Sequence, residues 1–128
     1  MASITWDIAM VTKCRWDIIT NSTLISRVTT LCHDIVNNKF SGTVETGARY
    51  QPDFIHLRVT MDEMYSVQNL IRRIKGHVSF NLQNENADIK EDIYGKAMFE
   101  RDSFCSSSLP PNSEIDDWVN DRLDLIRP

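Results

Sequence analysis

The sequence predicts an α+β domain: a split βαβ sheet of the ferredoxin or RRM kind, antiparallel, with two helices on one face and a further helix at the C-terminal end. Three observations predict it. Apolar residues alternate with period two around Ile4–Met10 and again around Ile55–Met61. Between and after these stretches the period lengthens to three and four. The segments then run strand, helix, strand, strand, helix, strand, and a closing helix. The 128 residues form a single domain over 1–128, large enough to bury a core without metal or disulfide staples.

Each element has its own signal. From Ser3 to Met10, Ile4, Trp6, Ile8 and Met10 share one face of a strand, and Thr5, Asp7 and Ala9 the other. Leu24, Val28, Leu31, Cys32 and Ile35 make the apolar stripe of a helix over 24–36. Asn21 and Ser22 suit its cap, and Asn37 and Asn38 its stop. Residues 40–50 read as a second strand interrupted by Gly42 and Gly47, before a turn at Gln51-Pro52-Asp53. The clearest strand is 54–61. Ile55, Leu57, Val59 and Met61 face one way, and Phe54, His56, Arg58 and Thr60 the other.

A short helix follows over 66–75. Ser66 caps it, Val67, Leu70, Ile71 and Ile74 are buried, and Gly76 terminates it. Alternation returns at 77–82, with Val78, Phe80 and Leu82 inward, as a strand. Residues 81–94 are polar and carry no clear period, and 97–104 form a last extended segment. The serines and prolines of 105–113 predict a flexible loop. A helix over 113–126 closes the chain, with Ser113 and Asp116 as a capping box and Ile115, Trp118, Val119 and Ile126 on one face.

Composition narrows the function classes. Hydrophobic residues at 41% and charged residues at 25% exclude a disordered chain. No stretch reaches the roughly 18 apolar residues of a membrane span. The first ten residues include Asp7 and no basic flank, unlike a signal peptide. Cys14, Cys32 and Cys105 are odd in number, widely spaced and outside any CxxC. That argues against a disulfide framework or a cysteine zinc site and fits a reducing cytoplasm. The net charge of −4 hides an asymmetry: residues 1–80 carry +2 and residues 81–128 carry −6. A nucleic-acid face therefore belongs to the first two-thirds.

Four separated segments share a resemblance. Gln51 to Phe80 reads Q-P-D-F-I-H-L-R-V-T-M-D-E-M-Y-S-V-Q-N-L-I-R-R-I-K-G-H-V-S-F. This resembles the core of the single-tyrosine HUH transposases of small bacterial insertion sequences, the insertion-sequence-200-like and REP-associated tyrosine transposases. Met10 to Trp16 is similar to the family's V-T-K-Y-R-R strand end. The segment 97–105 falls where the family has its final strand. Ser113 to Arg122 is similar to the family's tyrosine helix. In order and spacing the similarity covers about residues 4–122.

The resemblance implies a metal-dependent DNA nickase, and the departures touch its chemistry. The family's first HUH histidine matches Phe54, its tyrosine nucleophile matches Trp118, and its supporting glutamine matches Arg122. Only His56 remains of the metal ligands. A lone imidazole is a weak divalent site, an indole has no hydroxyl to attack phosphorus, and a guanidinium ligates no cation. No cofactor is expected, and magnesium or manganese enters only if cleavage is retained.

The candidate nucleic-acid residues are Lys13, Arg15, Arg58, Arg72, Arg73, Lys75 and His77, with Arg49 as an adjoining cation. His77, following Gly76, is placed at a helix end. Scattered solvated cations are the plain alternative, and His33 is read as surface. Trp16, Tyr50 and Phe54 are candidate platforms for unpaired bases, with core packing the alternative for Trp16, and Trp118 is read as packing its helix on the sheet. Asp116, Asp117, Asp121 and Asp124 fit the start and outer side of the last helix. No Gly-rich phosphate loop or Ser/His/Asp order occurs.

The reading is a transposase-like domain that binds hairpin or single-stranded DNA or RNA without cutting it, as a homodimer, with no membrane or small-molecule partner. Two alternatives stay open: an active nicking and strand-transfer enzyme, and a protein-interaction module that has lost nucleic acid.

Overall fold

The computed structural model describes residues 2–12, 17–92 and 98–126, except for the side chains of 90–92 and 122–126. Lys13, Arg15 and Trp16 lie outside the described residues, as does the side chain of Arg122. The elements are β1 (Ser3–Thr12), α1 (Ser22–Lys39), β2 (Thr43–Val44), β3 (Arg49–Tyr50), β4 (Phe54–Asp62), α2 (Val67–Glu85), α3 (Ala87–Asp92), β5 (Phe99–Ser106) and α4 (Asn112–Ile126).

The sheet is antiparallel in the order β2-β4-β1-β5, with β3 also on the outer edge of β4. This is the split βαβ plan expected, with β5 as its fourth strand. β1 and β4 pair from Ser3↔Asp62 to Val11↔Phe54, placing Asp7 opposite Arg58 and Ala9 opposite His56. The period-two pattern therefore sends Ile8 and Met10 to the same side as Ile55, Leu57, Val59 and Met61. There they meet Val28, Leu31 and Val36 of α1 and Leu70, Ile74, Val78 and Leu82 of α2. Each such aliphatic side chain removed from water contributes about 1.5–3 kcal/mol.

The second helix departs from expectation. α2 runs unbroken through Gly76 to Glu85. Residues 77–82 are helix, not strand, and His77 sits mid-helix. The reason is packing: 70, 74, 78 and 82 recur every four residues and are all buried, whereas Phe80 is 67% exposed. Two buried positions four apart fit either period, and the helix stripe begun at Leu70 decides between them. A Cβ built on Gly76 meets nothing within 4 Å, so nothing in its surroundings stops the helix.

Other boundaries shift for local reasons. Asn21 caps α1, its Oδ1 accepting from the Leu24 amide at 2.9 Å. Asn37 and Asn38 lie inside the helix, which ends at Lys39 with Phe40 as its C-cap, followed by Ser41 at φ 51. The second strand of 40–50 becomes the two short pieces β2 and β3, separated by Gly47 at φ 99. The polar stretch after α2 forms α3. Cys105 and Ser106 belong to β5 and Ser113 to the inside of α4. The loop expected over 105–113 is thus 107–111.

The opposite sheet face is covered by α4 of the same chain. Ile115 and Val119 pack on Ala9 and Val11, with Phe54, Phe104 and Trp118 around them. Trp118 packs its helix onto the sheet as expected, its ring tilted against Phe104 at 5.9 Å. Cys32 is fully buried on the other side, and burial pushes its thiol up to about 12.

Candidate nucleic-acid interface

The sheet separates two polar sites of opposite character. The first lies under α4 and contains the surviving histidine. Period two places Asp7, His56 and Arg58 on this face, and the register puts them together. His56 is 1% and Asp7 0% exposed. His56 Nε2 lies 2.9 Å from Asp7 Oδ1, and Arg58 Nε donates to the same oxygen at 3.0 Å. Arg58 Nη2 is 3.4 Å from Asp7 Oδ2. Arg49, opposite His56 in the β3–β4 ladder, donates from Nε to His56 Nδ1 at 3.1 Å and from Nη1 to Asp116 of α4 at 2.7 Å. Its guanidinium also lies 5.6 Å from the Phe54 ring centroid.

This geometry fixes a tautomer. Arginine can only donate, so Nδ1 is the acceptor and Nε2 carries the hydrogen given to Asp7. His56 is therefore neutral. Burial holds its pKa below the usual 6.5, outweighing the bond to Asp7 that favours the cation, while Arg49 and Arg58 push the same way as burial.

The residues present do not fit a divalent metal. Both ring nitrogens of His56 are engaged, Phe54 offers no donor, and two guanidinium groups face the carboxylates. Among the described residues, no three His, Cys, Asp or Glu side chains gather as a metal site. Nor does a described tyrosine stand here: strand alternation turns Tyr50 to the opposite side, against the main core. Burial there pushes its hydroxyl up to about 12. Tyr50 is thus no base-stacking platform, and Phe54 is half-buried in the α4 cluster.

The second site lies between the end of α1 and the start of α2. Lys39, Phe40, Tyr65, Asn69, Arg72 and Arg73 line a groove of about 340 Å³. Phe40 and Tyr65 meet edge to face at 5.4 Å. Ser66 caps α2, its Oγ accepting from the Asn69 amide at 3.3 Å, which sets the helix start beneath the groove. Arg72 and Arg73 fall outside the stripe Leu70, Ile71 and Ile74 and are exposed. Neither they nor Lys39 make an ion pair or hydrogen bond among the described residues.

The cations expected to act together are therefore divided. Arg72 and Arg73 share the groove. Arg58 is held by Asp7 on the other face. Lys75 is half-buried, and its ammonium donates to the carbonyls of Glu100, Arg101 and Asp102 at 2.8, 3.1 and 3.4 Å, tying α2 to β5. Burial holds its pKa down. His77 is turned into α2, within 3.3 Å of the Asn81 amide nitrogen. Sequence reasoning passed over Lys39 and Tyr65 as groove residues, and Asp7 as the centre of the buried network. An acid amid an apolar strand was the available signal for Asp7; its partners needed the strand register.

Comparison with known proteins places the chain. The family model described as "Transposase IS200 like" matches residues 1–120, and the chain belongs to that family. No curated protein sequence matches it. Among solved structures, a candidate transposase from Deinococcus radiodurans superposes with a TM-score of 0.82 at 11% identity, covering 95% of this chain and 92% of that one. A REP-associated tyrosine transposase bound to a REP hairpin superposes with a TM-score of 0.56 at 12% identity, covering 89% of this chain. The chain spans 61% of that protein's length. These likenesses establish the fold.

Proposed function

We propose that this member of the transposase family binds a hairpin or single-stranded nucleic acid in the groove of Lys39, Arg72 and Arg73, and does not cut it. One observation carries the reading: the groove's cations have no protein partner among the described residues, while those around His56 are all engaged. Free guanidinium groups suit phosphates, each neutralised phosphate releasing counterions. Tyr65, half-buried and braced edge-on by the buried Phe40, offers the groove's aromatic surface to an unpaired base. The net charge of −4 works against plain duplex, which favours a folded strand with exposed bases. The hairpin held by a structural neighbour supports the same ligand class.

Loss of cleavage rests on Phe54 and Trp118, where the family resemblance calls for a metal ligand and a nucleophile, and on the engaged His56. A homodimer is part of the reading, because β5 closes the sheet on one side as an edge strand. No described helix is long and apolar enough to cross a membrane, and we place the protein in the cytoplasm.

The test compares a hairpin, its duplex control and an unstructured strand at two salt concentrations. The hairpin should bind best, with affinity falling steeply as salt rises. Arg72→Ala with Arg73→Ala should lose roughly 1–3 kcal/mol of binding and flatten the salt slope. Lys75→Met should instead lower stability, its charged hydrogen bonds contributing about 1.5–3 kcal/mol. No protein-linked oligonucleotide should form with magnesium or manganese on a denaturing gel. Absence of hairpin preference, or a double mutant that binds as wild type, would hand the molecule to the protein-interaction reading.

A further inference from the structure

The network under α4 is more than a poor fit for a metal. We propose that Arg49 is the resident cation of this site: its guanidinium stands on the lone pair with which His56 would ligate a metal, and pins α4 to the sheet through Asp116.

Charge balance is the first argument. Asp7 and Asp116 contribute two negative charges, Arg49 and Arg58 two positive ones, and His56 is neutral. The cluster is already compensated, so a divalent ion would add +2 beside two groups that cannot lose their protons. Residual hydrogen-bonding capacity is the second. Among the described residues of this cluster, the buried side-chain atom left without a partner is Arg49 Nη2, a donor. A buried metal site needs spare buried acceptors, and the spare buried group here is a donor.

Placement is the third. Arg49 belongs to the two-residue strand β3 on the outer edge of β4, whereas Asp116 lies in the first turns of α4. Their 2.7 Å ion pair joins segments 67 residues apart in the chain. The side chain reaches Asp116 by passing over Phe54, the residue that stands where the family resemblance calls for a histidine. A histidine at 54 would meet a guanidinium on its face. Arg49 and Phe54 therefore act as one unit at this site. The aromatic ring supplies a surface for the cation, and the cation occupies the space beside it.

The experiment has two arms, both free of any need for nucleic acid. Imidazole nitrogen–proton correlation spectra should show His56 neutral, with its hydrogen on Nε2, and an excess of manganese should leave its resonances without saturable broadening. Saturable broadening centred on His56 would overturn the resident-cation assignment. In the second arm, hydrogen exchange is followed in 112–119 for Arg49→Ala, Asp116→Asn and the double variant. Each single change should speed exchange there several-fold, and the double should do no more than either alone, as expected of partners in one interaction. Asp116 is 44% exposed, so its replacement leaves the core intact if Arg49→Ala proves too disruptive. Unchanged exchange in Asp116→Asn, or additive effects in the double variant, would sink the clamp.

Discussion

The two faces of the sheet carry cations in two different states. Between α1 and α2, Lys39, Arg72 and Arg73 have no partner among the described residues and stand beside the Phe40–Tyr65 pair. Beneath α4, Arg49 and Arg58 are bound into a network with Asp7, His56 and Asp116. The same residue types thus do opposite work, decided by whether a carboxylate lies within reach. Local composition does not separate the two sets. Burial and strand register do, because they bring Asp7 of β1 under His56 and Arg58 of β4.

The comparison breaks most visibly at Asp7. Asp7→Ala removes the acceptor shared by His56 and Arg58 and leaves a guanidinium partly buried without its counter-charge. The loss should be about 3–5 kcal/mol, as for a buried pair deprived of one member, read by urea denaturation. Hairpin binding by the folded fraction should survive, since the groove lies across the sheet. Arg72→Ala with Arg73→Ala should do the converse. If Asp7→Ala is as stable as wild type, the network contributes nothing to the fold and the contrast between the faces fails.

A pH titration sharpens the same contrast with a smaller effect. The groups facing His56 are Asp7 from β1, Arg58 from β4, Arg49 from β3 and, through Arg49, Asp116 from α4. Its folded pKa is depressed below 6.5, chiefly by burial. Below 6.5 the unfolded chain takes up a proton that the native site resists. The histidine's contribution is therefore full above pH 6.5 and is lost as pH falls from there toward its folded pKa. Wild type should lose more stability between pH 7.5 and 5.5 than His56→Gln does. Equal losses would mean that His56 is as easily protonated folded as unfolded.

How much of this was legible in the sequence follows from what each feature depends on. Period two and the paired strands gave the sheet, because Ile55, Leu57, Val59 and Met61 must share a face whatever they pack against. The resemblance located Phe54, His56 and Trp118, and the structure sets Phe54 and Trp118 in one cluster. The groove was half legible: Arg72 and Arg73 fall off the buried stripe, but Lys39 and Tyr65 reach them only through the packing of α1 on α2. The roles of Arg58 and Lys75 were not legible. A cation's partner is a long-range property, set here by Asp7 51 residues away and by the carbonyls of β5 at least 25 residues away.

The smallest expected effect tests the element that the sequence pattern misplaced. The sequence pattern predicts a helix end at Gly76, where a left-handed glycine is common and alanine would be strained. It lies instead within α2, with Arg72 and Arg73 one turn before it and the buried Val78 and Leu82 after it. A methyl group there meets nothing within 4 Å, and Gly76 is not among the residues with positive φ. Alanine therefore brings no clash and removes glycine's excess entropy in the unfolded chain. Gly76→Ala should stabilise the protein by about 0.5–1 kcal/mol, a small rise in the midpoint of thermal or urea unfolding. It should also stiffen the helix that carries the groove's arginines without altering their charge, so the salt slope of hairpin binding should stay as in wild type. A destabilised variant would restore the break at residue 76. It would mean that position 76 needs glycine's conformational freedom, and that Arg72 and Arg73 are not held on a regular helix continuing through it.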